Sequence, residues 1–204
     1  MISYLRGNLI DRTDEGNVII DVNGVGYEVC VPAGTLAKLR EGEEAELYTY
    51  LSVKEDGMSL FGFSTREEMQ VFKKIITVSG IGPKGGISIL SIMSREQFIT
   101  AVLSDDDAAI SKANGVGKKT AQKIVLELKD KFTLEDAFGA SDNRNPVHMP
   151  AADSSAAGEV RKDAIAALVA LGYTNSEAMK AVNSVDITDE MTVDKVLKAA
   201  LKNI

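Results

Sequence analysis

The spacing of apolar residues changes period along the 204-residue chain. Over residues 1–63, short runs rich in Val, Ile, Leu, Tyr and Phe show partial alternation. They predict strands at Ile2–Asp11, Asn17–Val22, Val25–Val31, Ala45–Val53 and Met58–Phe63. Asn23-Gly24 falls between the second and third runs, and both residues accept positive φ, so the pair predicts a tight hairpin. Asp56-Gly57 predicts a second turn of the same chemistry, and residues 34–40 read as a short helix. Five strands with a helix after the third follow the order of an OB-type β-barrel; a small SH3-like barrel is the alternative.

From residue 64 the period becomes helical. Ser64 or Thr65 can cap a helix, and Glu67 or Glu68 can complete a capping box. Met69, Phe72, Ile75 and Ile76 then recur on one face, and Ser94-Arg95-Glu96-Gln97 repeats the cap before Phe98, Ala101 and Val102. All periodicity stops over residues 135–158, where Ser, Ala, Asp, Asn and Pro dominate; this segment, with His148 between Pro146 and Pro150, reads as a flexible linker. Residues 159–204 resume as a three-helix unit. Val160, Ala164, Ile165, Leu168 and Leu171 form one stripe, Gly172 follows as a C-terminal stop, and Thr174-x-x-Glu177 forms a capping box. A third helix starting at Asp189 or Thr192 should turn Val193, Val196, Leu197 and Leu201 inward. The expected fold class is therefore α+β and multidomain: a barrel (1–63), a central all-α domain (64–134), a linker (135–158) and a small helical domain (159–204).

Composition alters this picture in one respect. The formal net charge is −7, which taken whole argues against a nucleic-acid partner. Residues 1–63 hold 5 basic and 11 acidic residues, whereas residues 64–134 hold 11 basic and 8 acidic. The helical domain is thus a basic island in an acidic chain. One cysteine, Cys30, excludes an intramolecular disulfide, and one histidine excludes a clustered His/Cys zinc site. No apolar run approaches a membrane span and no secretory signal is seen at the start, so a cytoplasmic protein without a membrane partner is expected.

The basic island contains a repeated motif. Val78-Ser79-Gly80-Ile81-Gly82-Pro83-Lys84-Gly85-Gly86 returns as Ala113-Asn114-Gly115-Val116-Gly117-Lys118-Lys119-Thr120-Ala121. The shared pattern is Gly-apolar-Gly-x-Lys-x-small, flanked by helical periodicity. Gly80-x-Gly82-x-x-Gly85 satisfies the dinucleotide pattern literally but lacks the preceding strand, and Gly117-Lys118 lacks the other residues of a phosphate-binding P-loop. A pair of helix-hairpin-helix motifs fits both copies. The glycines allow a tight reversal, Ile81 and Val116 anchor it in the core, and the next helix begins with free N–H groups aimed outward. Gly80, Gly82, Lys84, Gly115, Gly117, Lys118, Lys119 and Lys123 are the expected phosphate-binding residues, and Gly85 should weaken the first copy.

Tandem GIGPK and GVGKKTAQKIVLELKDK, after a barrel opening MISYLRG, resemble the RuvA family of DNA-binding subunits of the Holliday junction branch-migration complex. The resemblance implies a homotetramer, with an octamer on DNA as the alternative, that holds a four-way junction open and planar in DNA recombination, repair and the SOS response to DNA damage. It implies an acidic pin in the last barrel turn, here Glu55 and Asp56, and a hexameric ATPase motor, RuvB, reached through a C-terminal domain on a mobile arm. The resolvase RuvC is a further candidate partner. The chain itself is expected to be non-catalytic, with no cofactor and no metal.

Two other readings remain: a general helix-hairpin-helix duplex-binding repair protein or nuclease subunit, and a scaffold that binds only protein. Asp105-Asp106-Asp107 is the one acidic cluster that suggests a nuclease metal site, but consecutive carboxylates diverge, and a helix cap is the simpler reading.

Overall fold

A computed structural model of the chain describes residues 1–13, 16–55, 57–133, 136–137, 156–185, 187 and 191–202. Strands β1 (Tyr4–Arg12), β2 (Asn17–Val22), β3 (Val25–Cys30), β4 (Glu44–Lys54) and β5 (Gly57–Phe63) close a barrel in the order β1-β2-β3-β5-β4. Only β3 and β5 run parallel, through Val29↔Leu60 and Cys30↔Phe61. This is the OB order expected from the strand pattern. Val22 pairs with Val25, so Asn23-Gly24 is a two-residue turn, with φ of 53° and 84°. Helix α1 spans only Ala33–Leu36, shorter than residues 34–40; Pro32 starts it and a hydrogen-bonded turn from Leu39 N to Leu36 O ends it.

β5 explains how the barrel joins the rest. Its apolar run has no polar alternation because both faces are covered. Leu60 faces the barrel core with Leu5, Leu9, Val18, Ile20 and Leu47, while Phe61 and Phe63 face outward and belong to the core of the helical domain. There they meet Phe72, fully buried on α2 (Arg66–Ile75), at ring distances of 5.7 and 4.7 Å, and Tyr50 of β4 adds an edge contact at 5.6 Å.

The helical domain continues with α3 (Pro83–Ile92), α4 (Arg95–Leu103), α5 (Asp107–Ile110) and α6 (Lys118–Leu128), then a 3₁₀ turn over Lys129–Lys131. α4 is the central helix: Phe98, Ile99 and Val102 are fully buried, and it packs on α2, α3, α5 and α6. Its N-terminus carries the expected capping box of Ser94 and Gln97.

The C-terminal helices are α7 (Ala156–Ala170), α8 (Asn175–Asn183) and α9 (Val193–Ala200). α7 starts inside the segment expected to be linker; His148 lies outside the described residues. The Thr174–Glu177 box is present, and Gly172, at φ 101°, ends α7 with Tyr173 N donating to Leu168 O. Two side chains expected inward are not. Leu171 is 65% exposed and Leu201 42% exposed, because each lies just past the end of its helix; Leu168 and Ala200 take the buried positions. The bundle rests on the helical domain through α4 and α8, and their apolar cores are continuous. No described helix is long and apolar enough to cross a membrane.

The two consecutive glycines of α3 have different environments. A Cβ on Gly86 would sit 2.8 Å from Cε2 of Phe72, so α3 approaches α2 this closely only without a side chain there. A Cβ on Gly85 would meet Ile81 at an ordinary 3.5 Å. Gly85→Ala should therefore raise stability by about 1 kcal/mol. Gly86→Ala should lower it by about 1–3 kcal/mol through overpacking. Urea midpoints of the two variants check the opposite signs.

Candidate nucleic-acid interface

The two glycine motifs fold alike. Backbone bonds run from Thr77 N to Lys74 O, Val78 N to Ile75 O, Ile81 N to Val78 O and Gly86 N to Gly82 O. Each recurs 35 residues on: Lys112 N to Ala109 O, Ala113 N to Ile110 O, Val116 N to Ala113 O and Ala121 N to Gly117 O. Gly80 and Gly115 hold φ of 95° and 76°, a conformation strained for any residue with a Cβ, which accounts for glycine at the reversal. Ile81 and Val116 are buried, as expected for the anchors of the turns.

Gly82 and Gly117 then act as extended N-caps with no side chain to occupy the helix start. In α6 the N–H groups of Lys118, Lys119 and Thr120 have no intrahelical acceptor. In α3 proline at position 83 removes one of the three, leaving Lys84 and Gly85. The second hairpin is thus the richer donor set, for a reason the glycine count alone did not reveal. The dipole of each helix adds positive potential at the same point.

Lys84, Lys118 and Lys119 are exposed and, among the described residues, have no carboxylate within ion-pair distance. Lys123 differs. It sits beyond the first turn of α6, 3.7 Å from Glu127, so part of its charge is answered within the helix. The barrel turn between Lys54 and Gly57 comprises two residues. Glu55 is exposed there, and Asp56 lies outside the described residues. Elsewhere on the barrel Arg6 bridges Glu44 at 2.8 Å and Glu46 at 3.5 Å, so part of the acidic surplus is spent on exposed pairs between β1 and β4.

The three consecutive aspartates separate, as their spacing requires. Asp106 caps α5 by accepting from Ala109 N at 2.9 Å, and Asp107 lies in the first turn. Asp105, at φ 58°, turns the other way and accepts from Lys129 Nζ at 2.7 and 2.8 Å and from Ser176 Oγ of α8 at 2.6 Å. Two sequence-distant groups thus complete the Asp105 cluster, and no local pattern marks them.

A closed barrel with an acidic turn, feeding two glycine hairpins with the same backbone bonds on helix starts, defines a tandem helix-hairpin-helix protein built on an OB barrel. Residues 1–62 match the RuvA N-terminal domain, 72–130 the SAM-like helix-hairpin-helix tandem and 159–204 the RuvA C-terminal domain. A protein of Lachnospira eligens is 41% identical over all of this chain and 99% of its own length. One of Thermoanaerobacter sp. (strain X514) is 43% identical over the same shares, and one of Shewanella halifaxensis is 40% identical over the whole of both chains. All three carry the name Holliday junction branch migration complex subunit RuvA. The chain belongs to the RuvA family.

Asp105 gives the contact between helical domain and C-terminal bundle a pH dependence. Burial raises its carboxyl pKa, but the hydrogen bonds from Lys129 and Ser176 outweigh this and hold it below the usual aspartate value. The stabilisation is therefore complete above an unfolded-state pKa of about 3.9 and is lost as pH falls through the lower folded value. Protection factors of the α8 amides, taken relative to intrinsic exchange at each pH, should stay high at neutral pH and fall only in that acid range. Asp105→Asn should show the lower protection already at neutral pH.

Proposed function

We propose that this chain binds four-way (Holliday) junction DNA as a non-catalytic subunit of a branch-migration complex. The pair of matching hairpins, each opening a helix whose N–H groups lack a side-chain cap and carrying lysines with no carboxylate partner among the described residues, is the observation that carries this reading. Gly80, Gly82 and Lys84 hold one phosphate; Gly115, Gly117, Lys118 and Lys119 hold another, with Lys123 beside it. Such contacts grip the backbone of a duplex and leave base sequence unread, which suits a ligand recognised by shape. The full-length relatives named for the same complex support it.

Glu55 and Asp56 form the pin at the crossover, where carboxylates repel phosphates and keep the strands parted. Four copies form a tetramer around the junction, with an octamer on DNA as the larger form. The C-terminal bundle engages a hexameric ATPase, RuvB, through Leu171 and Leu201, the large apolar side chains it leaves exposed among the described residues. RuvC shares the junction, and the assembly works in the cytoplasm.

A gel-shift comparison of four-way junction with linear duplex tests the grip and the pin together. Lys118→Glu/Lys119→Glu should weaken both complexes. It should also flatten the log–log salt dependence by about 0.9 for each phosphate that is no longer neutralised; unchanged binding would disprove the phosphate assignment. Glu55→Gln should leave affinity intact while lowering the preference for junctions. Separately, Leu171→Asp/Leu201→Asp should spare junction binding and abolish stimulation of the ATPase, read as phosphate release.

A further inference from the structure

The contact between barrel and helical domain has a polar side as well as the aromatic one. Glu68 of α2 is partly buried, and its Oε2 accepts from Ser64 N at 3.2 Å and from Thr35 Oγ1 at 3.3 Å. Ser64 Oγ in turn donates to Thr35 Oγ1 at 3.1 Å, and Thr35 is 1% exposed. At the start of α1, Ala33 N donates to Ser91 Oγ near the end of α3, also at 3.1 Å. The four residues of α1 therefore hold two separate elements: the β5–α2 connection and the far end of α3.

These elements lead to the two parts of the interface. β5 starts at Gly57, just after the Glu55 turn, and ends at Phe63, just before Ser64, a strand of about 20 Å. α3 begins at the first hairpin and spans about 15 Å to the Ser91 end. Fixing Ser64 and Ser91 to the same short helix fixes the acidic turn relative to the first hairpin. Local capping does not require Glu68 for this. Thr65 already accepts from Glu68 N at 3.1 Å, and the Glu68 carboxylate passes over its usual capping-box target to reach Ser64 and Thr35. Burial pushes its pKa above the ordinary glutamate range, so holding a carboxylate there has a cost that an apolar side chain would not incur.

We propose that Thr35, Glu68 and Ser91 are positioning residues that set the preference for four-way junctions over duplex. They do so by locking the first hairpin at a fixed distance from the acidic turn. The inference rests on the reading under Proposed function. A linear duplex needs only the hairpins, which stay folded when the lock opens. A four-way junction needs hairpins and turn in register at once, so it alone feels the lock.

The test is the ratio of junction to duplex dissociation constants for the full chain at one salt concentration, with oligomeric state checked by light scattering. Glu68→Ala and Thr35→Val should each weaken junction binding about tenfold and leave duplex binding within about twofold. Glu68→Gln, which keeps an acceptor for both donors, should restore the wild-type ratio. Ser91→Ala removes the α1–α3 bond, and with it the bond from Ser91 Oγ to Ile87 O within α3, and leaves the Glu68 cluster whole; it should shift the ratio in the same direction, which covers the case of Glu68→Ala failing to fold. Equal weakening on both ligands, or an unchanged ratio in Glu68→Ala and Ser91→Ala, overturns the positioning role. A wild-type protein with no junction preference overturns the proposed function itself, and the inference with it.

Discussion

Phe72 lies where barrel and helical domain meet, with Phe61 and Phe63 of β5 and Tyr50 of β4 around its ring and Gly86 of α3 against its edge. Burying such a ring contributes about 1.5–3 kcal/mol, and truncating it would cost about 3–5 kcal/mol because the cavity adds to the forfeited transfer energy. The consequence reaches beyond stability. The ring seats α2 on the outer face of β5 and lets α3 come close over it, so the first hairpin inherits its position from the barrel. The Thr35–Glu68–Ser64 cluster completes the same contact with directional bonds, which restrict rotation where apolar packing alone restricts distance.

The hairpins show how an acidic protein can present itself to a polyanion. In the proposed function, attraction comes first from backbone N–H groups at two helix starts, which carry no formal charge and so leave no trace in the net figure of −7. Lysines supplement them, and Lys84, Lys118 and Lys119, nearest the helix starts, have no carboxylate partner among the described residues. Acidic surplus stays in the barrel, partly paired with Arg6 and partly displayed at Glu55. Separation of the two signs onto different domains matters more than their sum.

The C-terminal bundle, expected from resemblance to ride on a mobile arm, is here seated on the helical domain with a shared apolar core and the Asp105–Lys129–Ser176 cluster. Leu171 and Leu201 stay exposed in this seated state. A partner that binds them need not first displace the bundle.

Much of the molecule is legible in local sequence, because its signals are short-range. Strand alternation, the Asn23-Gly24 turn, the boxes at Ser94 and Thr174, and the repeated glycine pattern each depend on residues within a few positions of one another. The hairpin residues belong to this class: positive φ at Gly80 and Gly115 and an uncapped helix start are properties of the local chain. Other features needed the tertiary structure, because their partners are remote. Glu68 reads as half of a capping box and serves Thr35 instead; Gly86 reads only as a small residue in a repeat and is the gap into which Phe72 fits. Asp105 reads as one of three equal acids and is set apart by Lys129 and Ser176. Leu171 and Leu201 continue a periodic stripe in sequence, yet lie past their helix ends, where the period no longer governs which way a side chain points. Local propensity decides elements and turns; which buried polar group finds a partner is decided only when distant segments pack.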